Sequence, residues 1–409
     1  MEEAYHEIEI PCYFICPISM QLMKDPVTVS TGITYDRENI EKWLFSCKKT
    51  TCPITKQVLT DTDLTPNHTL RRLIQGWCTL NAYERIPTPK PPVDKSQILK
   101  LLHEANNSPK SQLLCLHKLR SITHRNDSIR DHEVIKHVLE SSGAVEFLLS
   151  ILRKNEDSNS RDESLNILHK IEFSDSDLKK YMADDNEILE SLMHALESGN
   201  SQSRANAVSL LKSAFSVSDP AQLIGSKPEL FNQTVRILKD KISQQSTKAA
   251  LKLLVELCPW GKNRIKAVEN DAVSALVELL LETSERRVCE MVLVLLHQLC
   301  GCAEGRAELI RHGAGLAVVS KKILRVSNVA SERAVRIIAL VCKFGGNCRV
   351  LQEMMQVGVV SKLCLVMQVE TSSCSKTKER AKEVLRMHAR VWKDASCIPP
   401  HLLSSYPNY

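Results

Sequence analysis

The sequence predicts a small α+β module followed by an all-α solenoid, and three observations support this. Over residues 9–83, prolines and Gly32 break the chain into short apolar pieces, the pattern of loops and short strands around a helix. From Ser96 onward the chain shifts to long amphipathic patterns, and one motif recurs at intervals of 42 to 49 residues. Aromatic residues make up 4% and glycines number 13, a composition that favours helices packed through aliphatic side chains. With 409 residues the chain exceeds what one compact core usually holds, so two or more units are expected.

The first unit is assigned to residues 9–83, behind a tail at 1–8. Its opening run, Pro11–Ser19, is apolar and bounded by prolines, and it leads into Met23–Val27 and Gly32–Arg37. Asp36 is an N-cap for a helix over 37–44, whose Ile40, Trp43 and Leu44 share one face. Cys52–Thr55 forms a second apolar loop. After Pro66 a second helix places Leu70, Leu73, Ile74 and Trp77 on one side. The unit is therefore two loops, a hairpin and two helices.

No metal is predicted there. Zinc sites of this size take paired C-x-x-C ligands, whereas three residues separate Cys12 from Cys16 and four separate Cys47 from Cys52. His6 and His68 cannot complete two interleaved sites. Asp36, Arg37, Thr55 and Asn67 are placed to tie the loops by hydrogen bonds and charge pairs instead.

Residues 84–95 are a linker containing the run Ile86–Pro92, which polyproline geometry keeps extended and semi-rigid. Residues 96–392 are the solenoid. Its helical motif begins at Cys115, Ser164, Ala207, Ala250, Val292, Ala334 and Ala381. A second series, at Gly143, Asn186, Pro228, Asp271, Gly313 and Gly358, opens a further helix in each unit. No single unit can bury its apolar faces, so the units must stack. Residues 393–409 form a Pro-containing tail.

Several function classes are excluded. A net charge of +6 over the whole length is too diffuse to imply nucleic acid. The 15 cysteines are odd in number and sit mostly in helical runs, which suits free thiols in a reducing compartment. The N-terminal residues lack a secretory pattern, and no apolar stretch reaches membrane length, so an intracellular protein without an integral membrane segment is expected. No phosphate-binding glycine loop and no Cys–His nucleophile pair stands out.

The order and spacing of Pro11–Ser19, Met23–Val27, Gly32–Arg37, Glu38–Leu44, Cys52–Thr55 and Leu64–Ile74 closely resemble the U-box, the zinc-free, RING-like module of ubiquitin ligases. The resemblance implies a module with no catalytic nucleophile and no cofactor, which holds a ubiquitin-charged conjugating enzyme beside a substrate lysine. Such positioning accounts for several kcal/mol of a bimolecular barrier. It implies docking through Ile15, Cys16, Pro17, Trp43, Cys52 and Pro53, with Cys16 serving either docking or loop support, Asn67 bracing the second loop, and Arg71 or Arg72 (of which Arg72 is taken) reaching the partner. On composition alone, Ile15 and Trp43 read as core residues and Cys16 as an inert buried thiol.

The later units resemble armadillo repeats, which implies a substrate-binding groove. The Trp and Asn ladder of importin-like armadillo proteins is absent, since its tryptophan positions fall on residues such as Asn166, Lys252 and Arg336. Basic residues including Lys252 and Arg336 are instead read as a solvated face or as contacts for an acidic partner. The whole combination resembles plant U-box ligases with armadillo repeats, of the subgroup associated with stress and immunity. That implies ubiquitylation of substrates and of the chain itself, proteasomal degradation, and a cytoplasmic location with the nucleus also open. A homo-oligomer is left open. The alternative is a non-catalytic armadillo scaffold with a degenerate U-box, which the intact Ile15, Pro17, Trp43, Pro53 and Asn67 argue against.

Overall fold

A computed structural model describes residues 10–46, 49–59, 61–80, 95–105, 108–123, 129–154, 157–171, 173–183, 186–369 and 375–393. The tails at 1–8 and 394–409, the linker at 84–94 and Cys47 lie outside these residues. The chain divides into two compact units.

In the first unit, β1 (Pro26–Thr28) pairs antiparallel with β2 (Thr34–Asp36) on one side and β3 (Thr65–Pro66) on the other. Helix α1 (Arg37–Glu41) follows β2 directly and widens into a π turn over Lys42–Ser46. Helix α2 (His68–Leu80) follows β3. Phe14, Met23, Val27, Tyr35, Ile40, Leu44 and Ile74 are among the residues that close one core between sheet and helices. The expected hairpin and both helices are present. Two details differ from expectation. Leu73 is 56% exposed, because Ile74 and Cys78 take the buried side of α2. Asp36 occupies the N-cap position of α1, but its side chain accepts from the Lys24 and Asp25 amides instead, tying the first loop to the helix start.

The second unit opens with α3 (Lys95–Ala105) and α4 (Pro109–Thr123). Among the described residues, six three-helix units follow. They are α5 (Ile129–Ser141), α6 (Ala144–Lys154) and α7 (Ser158–Lys170); then α8 (Asp175–Leu178, continued as a π turn to Ala183), α9 (Asn186–Ser198) and α10 (Ser201–Ser216). Next come α11 (Pro220–Ile224), α12 (Pro228–Asp240) and α13 (Gln244–Leu257), and α14 (Asn263–Glu269), α15 (Ala272–Glu282) and α16 (Arg286–Leu299). The last are α17 (Ala303–Arg311), α18 (Gly315–Lys322) and α19 (Asn328–Gly345), and α20 (Cys348–Gln356), α21 (Val359–Gln368) and α22 (Ser375–Met387), before a short α23 (Ala389–Trp392).

Each recurring motif marks a third helix, and third helices pack on one another from α4 through α22. The small leading residue of the motif is where they meet: Cys115, Ser164, Ala207, Ala250, Val292, Ala334 and Ala381 are all buried. The second series marks the entry to the middle helices, which form a parallel stack. Gly143, Asp271 and Gly358 hold φ of +74°, +61° and +77° there, a left-handed turn that glycine adopts at no steric cost and aspartate tolerates. Polar ties cross between units. The Asn263 side-chain amide donates to the Leu223 and Leu257 carbonyls at 2.7 and 3.0 Å, and that of Gln298 to the Val255 carbonyl at 3.1 Å. No single described helix is long and apolar enough to cross a membrane.

Candidate functional site

Two loops of the first unit share one backbone plan. In the first, the Cys16 amide donates to the Gln21 carbonyl (2.7 Å), the Met20 amide returns to the Cys16 carbonyl (2.8 Å), and Ile15 bridges to Leu22. In the second, the Cys52 amide donates to Gln57 (2.8 Å), Lys56 returns to Cys52 (3.0 Å), and Thr51 bridges to Val58. Met20 and Lys56 turn both loops through left-handed φ of 55° and 59°. The cause is legible as an internal repeat, Cys16-Pro-Ile-Ser-Met-Gln-Leu22 against Cys52-Pro-Ile-Thr-Lys-Gln-Val58, which residue-by-residue assignment passed over.

The shared plan sorts the candidate residues. Pro17 is exposed, Ile15, Ile18 and Pro53 are half-buried, and Ile54 is 51% exposed, so both loop tips offer apolar surface. Cys52, expected on that surface, and Cys16, expected there or as a support of the loop, are fully buried. Their thiols turn inward because they accept hydrogen bonds that hold the loop bases. Cys16 Sγ receives the Asp36 amide (3.3 Å) and the Asn39 side-chain amide (3.8 Å). Cys52 Sγ meets the Thr31 hydroxyl at 3.3 Å and the Tyr35 hydroxyl at 3.0 Å. Burial alone would raise the Cys52 thiol; hydroxyl hydrogen bonds from Thr31, Thr55 and Tyr35 outweigh it and bring it down to about 6. Tyr35 is pushed up by burial and by its bond to Cys52. A sealed thiol with a low pKa is a structural acceptor here, because nothing outside can reach it.

Trp43 joins the loops to the helix. It is half-buried, its indole N–H donates to the Thr51 carbonyl (2.7 Å), and the Lys56 ammonium lies 6.0 Å from the ring centre. Sequence reasoning missed Asp25, which clamps the unit: Oδ2 accepts from Arg37 Nε and Oδ1 from Arg71 Nη1, both at 2.6 Å. This leaves Arg72 as the exposed arginine of α2. Asn67, expected to brace the second loop, caps α2 through the Leu70 amide (3.0 Å), while its own amide donates to Pro26 of β1 (2.8 Å). Among the described residues no three His, Cys, Asp or Glu side chains converge as a metal site requires.

In the solenoid, Lys252 is exposed on α13 and Arg336 half-buried on α19, where Glu332 pairs with it. Helix α16 stands between α13 and α19 in the stack, so the two do not form one group. Other basic side chains are spent on packing. Arg204 is held by Asp240 (2.6 Å) and the Leu196 carbonyl (3.2 Å), and Lys248 by Glu285 (2.6 Å).

Comparison with known proteins agrees with this layout. Residues 10–82 match the family model for the U-box domain, and residues 96–408 that for the plant U-box protein ARM repeat region. Over nearly its whole length the chain is similar to Arabidopsis thaliana proteins. It is 53% identical to the E3 ubiquitin-protein ligase PUB23, covering 98% of each chain, and 49% identical to PUB22, covering 98% and 99%. Similarity to PUB24 is 36%, over 99% of this chain and 97% of that one. Among solved structures, an engineered protein superposes with a TM-score of 0.51 at 18% identity, covering 75% of this chain and 72% of that one, a likeness of fold alone.

Proposed function

Because the chain belongs to the plant U-box proteins with an armadillo-repeat region, and is a U-box ubiquitin transferase, we propose that it works by docking a ubiquitin-charged conjugating enzyme on the loop tips and a protein substrate on the repeats. The supporting observation is the pair of matched loops. They leave Pro17 and Ile54 exposed beside the half-buried Ile15, Pro53 and Trp43, while the Cys16 and Cys52 thiols and the Trp43 indole make their hydrogen bonds within the unit. Apolar patches rimmed by charge are how protein partners dock, and Lys56 and Arg72 supply positive rim charges. The transferring thioester is on the partner, so the U-box contributes orientation and closeness to a lysine of the substrate or of this chain.

The third-helix stack supplies the substrate platform, with Lys252 and Arg336 as candidate contacts. Modified substrates pass to the proteasome in the cytoplasm or nucleus. A role in stress or defence signalling rests on the resemblance of the Leu64–Ile74 wording and the Pro-rich linker to that subgroup. Single-turnover discharge of a charged conjugating enzyme onto free lysine tests the docking surface. Ile15→Ala and Pro53→Ala are expected to slow discharge at least tenfold without unfolding the chain. Folded variants that discharge at the wild-type rate would refute the assignment.

A further inference from the structure

Three arginines of the last two repeats converge without carboxylates enough to hold them. Arg333 and Arg336 lie one turn apart on α19, Arg380 lies on the adjoining α22, and all three bear electrostatically on His297 of α16. These helices are consecutive members of the third-helix stack. Among carboxylates, Glu332 also bears on His297, and Arg336 Nη2 takes it. Arg333 and Arg380 form no ion pair with any described carboxylate. The Nε atoms of Arg333 and Arg336 and Nη1 of Arg380 are shielded from water yet have no hydrogen-bond acceptor. Two other cations of the solenoid do have carboxylates, Arg204 with Asp240 and Lys248 with Glu285. Uncompensated guanidinium charge is costly, and an anion arriving on the solvent-facing side of these half-buried side chains offsets it. All four residues are half-buried, so each keeps a face toward solvent.

We infer that His297, Arg333, Arg336 and Arg380 form a binding site for an acidic segment of a protein partner, one presenting closely spaced carboxylates or phosphates. The inference rests on the proposal that the repeats receive the substrate, and it names the chemistry of what they receive. Planar guanidinium forks from two helices can each take a carboxylate or phosphate edge, which suits a segment lying across the third helices. Burial and the three arginines hold His297 down to about 4, so its ring is neutral until an anion offsets the surrounding charge.

The test uses the full chain and fluorescein-labelled peptides about twelve residues long. One is Glu/Ser-rich, one carries phosphoserine in place of two glutamates, one has lysine for every glutamate, and a single-stranded RNA of similar charge serves as a non-peptide polyanion. The acidic peptides are expected to bind with an affinity that falls as salt rises, and the lysine peptide not to bind. Arg333→Gln with Arg380→Gln is expected to weaken binding at least tenfold. The charge-matched Arg349→Gln with Lys362→Gln, on the first and second helices of the last unit, is expected to change it less than twofold. Bound peptide is also expected to raise the His297 titration by NMR, which a purely structural role of the arginines would not do. If the double variant fails to fold, Arg380→Gln alone carries the comparison. Preference between glutamate and phosphoserine peptides assigns the source of the anion. Equal binding by wild type and arginine variants, no binding of acidic peptides, or displacement of bound peptide by the RNA at equal charge would overturn the assignment. Lysine discharge measured on the same samples separates this outcome from failure of the ligase mechanism, because discharge does not involve the peptide.

Discussion

Replacing Asp25 with alanine removes the clamp that joins β1, α1 and α2. Its two oxygens hold Arg37 and Arg71 at 2.6 Å each, with side-chain exposures of 35%, 22% and 15% for the acid and the two arginines. A fully exposed pair is worth about 0–1 kcal/mol, and breaking a buried one costs about 3–5 kcal/mol by stranding the partner charge. Intermediate exposure places the loss at about 2–3 kcal/mol. For a unit of this size each kcal/mol moves the melting point by about 4–8 °C, so the U-box transition is expected to fall by roughly 10–20 °C. Hydrogen exchange at the Val27 and Tyr35 amides of the full chain, followed with temperature, reads this unit apart from the solenoid. Asp25→Asn keeps one acceptor and is expected to lose about half as much. In the same assay, strong chelators are expected to leave the wild-type transition in place. A drop below about 2 °C for Asp25→Ala, or a chelator effect of similar size to the variant's, would refute the clamp as what replaces metal here.

Two further outcomes follow from the geometry. Trp43→Phe keeps the ring but removes the donor to the Thr51 carbonyl; it is expected to cost about 1 kcal/mol and to raise the concentration of charged conjugating enzyme needed for half-maximal discharge severalfold. An unchanged half-maximal concentration would mean the second loop keeps its position without that bond. His297 is held at about 4 against an ordinary 6.5, so the unfolded chain takes up its proton at a higher pH than the folded one. Its contribution to stability is therefore complete above pH 6.5 and is lost as pH falls toward 4, by about 1–2 kcal/mol once solvent screening of a half-exposed ring is allowed for. Denaturant midpoints at pH 7 and 5 check this, and a His297→Asn variant with the wild-type pH slope would contradict it.

The solenoid was legible in the sequence because helix stacking imposes a local rule. Positions such as Ala250 and Ala334, where third helices meet, admit only small or slim side chains, and the rule repeats with every unit. Expectation failed where the outcome depended on partners distant in sequence. Cys52 reads as a docking residue within a loop motif and Cys16 as a docking or loop-supporting one, and both thiols face inward toward Asp36, Asn39, Thr31 and Tyr35. Which side a loop residue faces is set by the left-handed turns at Met20 and Lys56, which hydrophobic periodicity does not encode. The repeated Cys-Pro-Ile wording did carry the information that both loops share one geometry. Asp25 left no pattern at all, since its arginines lie 12 and 46 residues away. Asp36 shows the reverse case: its capping position is legible, yet which amides its short side chain finally accepts from depends on the neighbouring loop.

The docking of a conjugating enzyme on the two matched loops is tested most directly by hydrogen–deuterium exchange of the full chain with and without a ubiquitin-charged conjugating enzyme. Slowed exchange over residues 15–22 and 51–58 and around Trp43 is the result the loop geometry predicts. Unchanged exchange there, with protection appearing on another face of the U-box or only in the repeats, would contradict it.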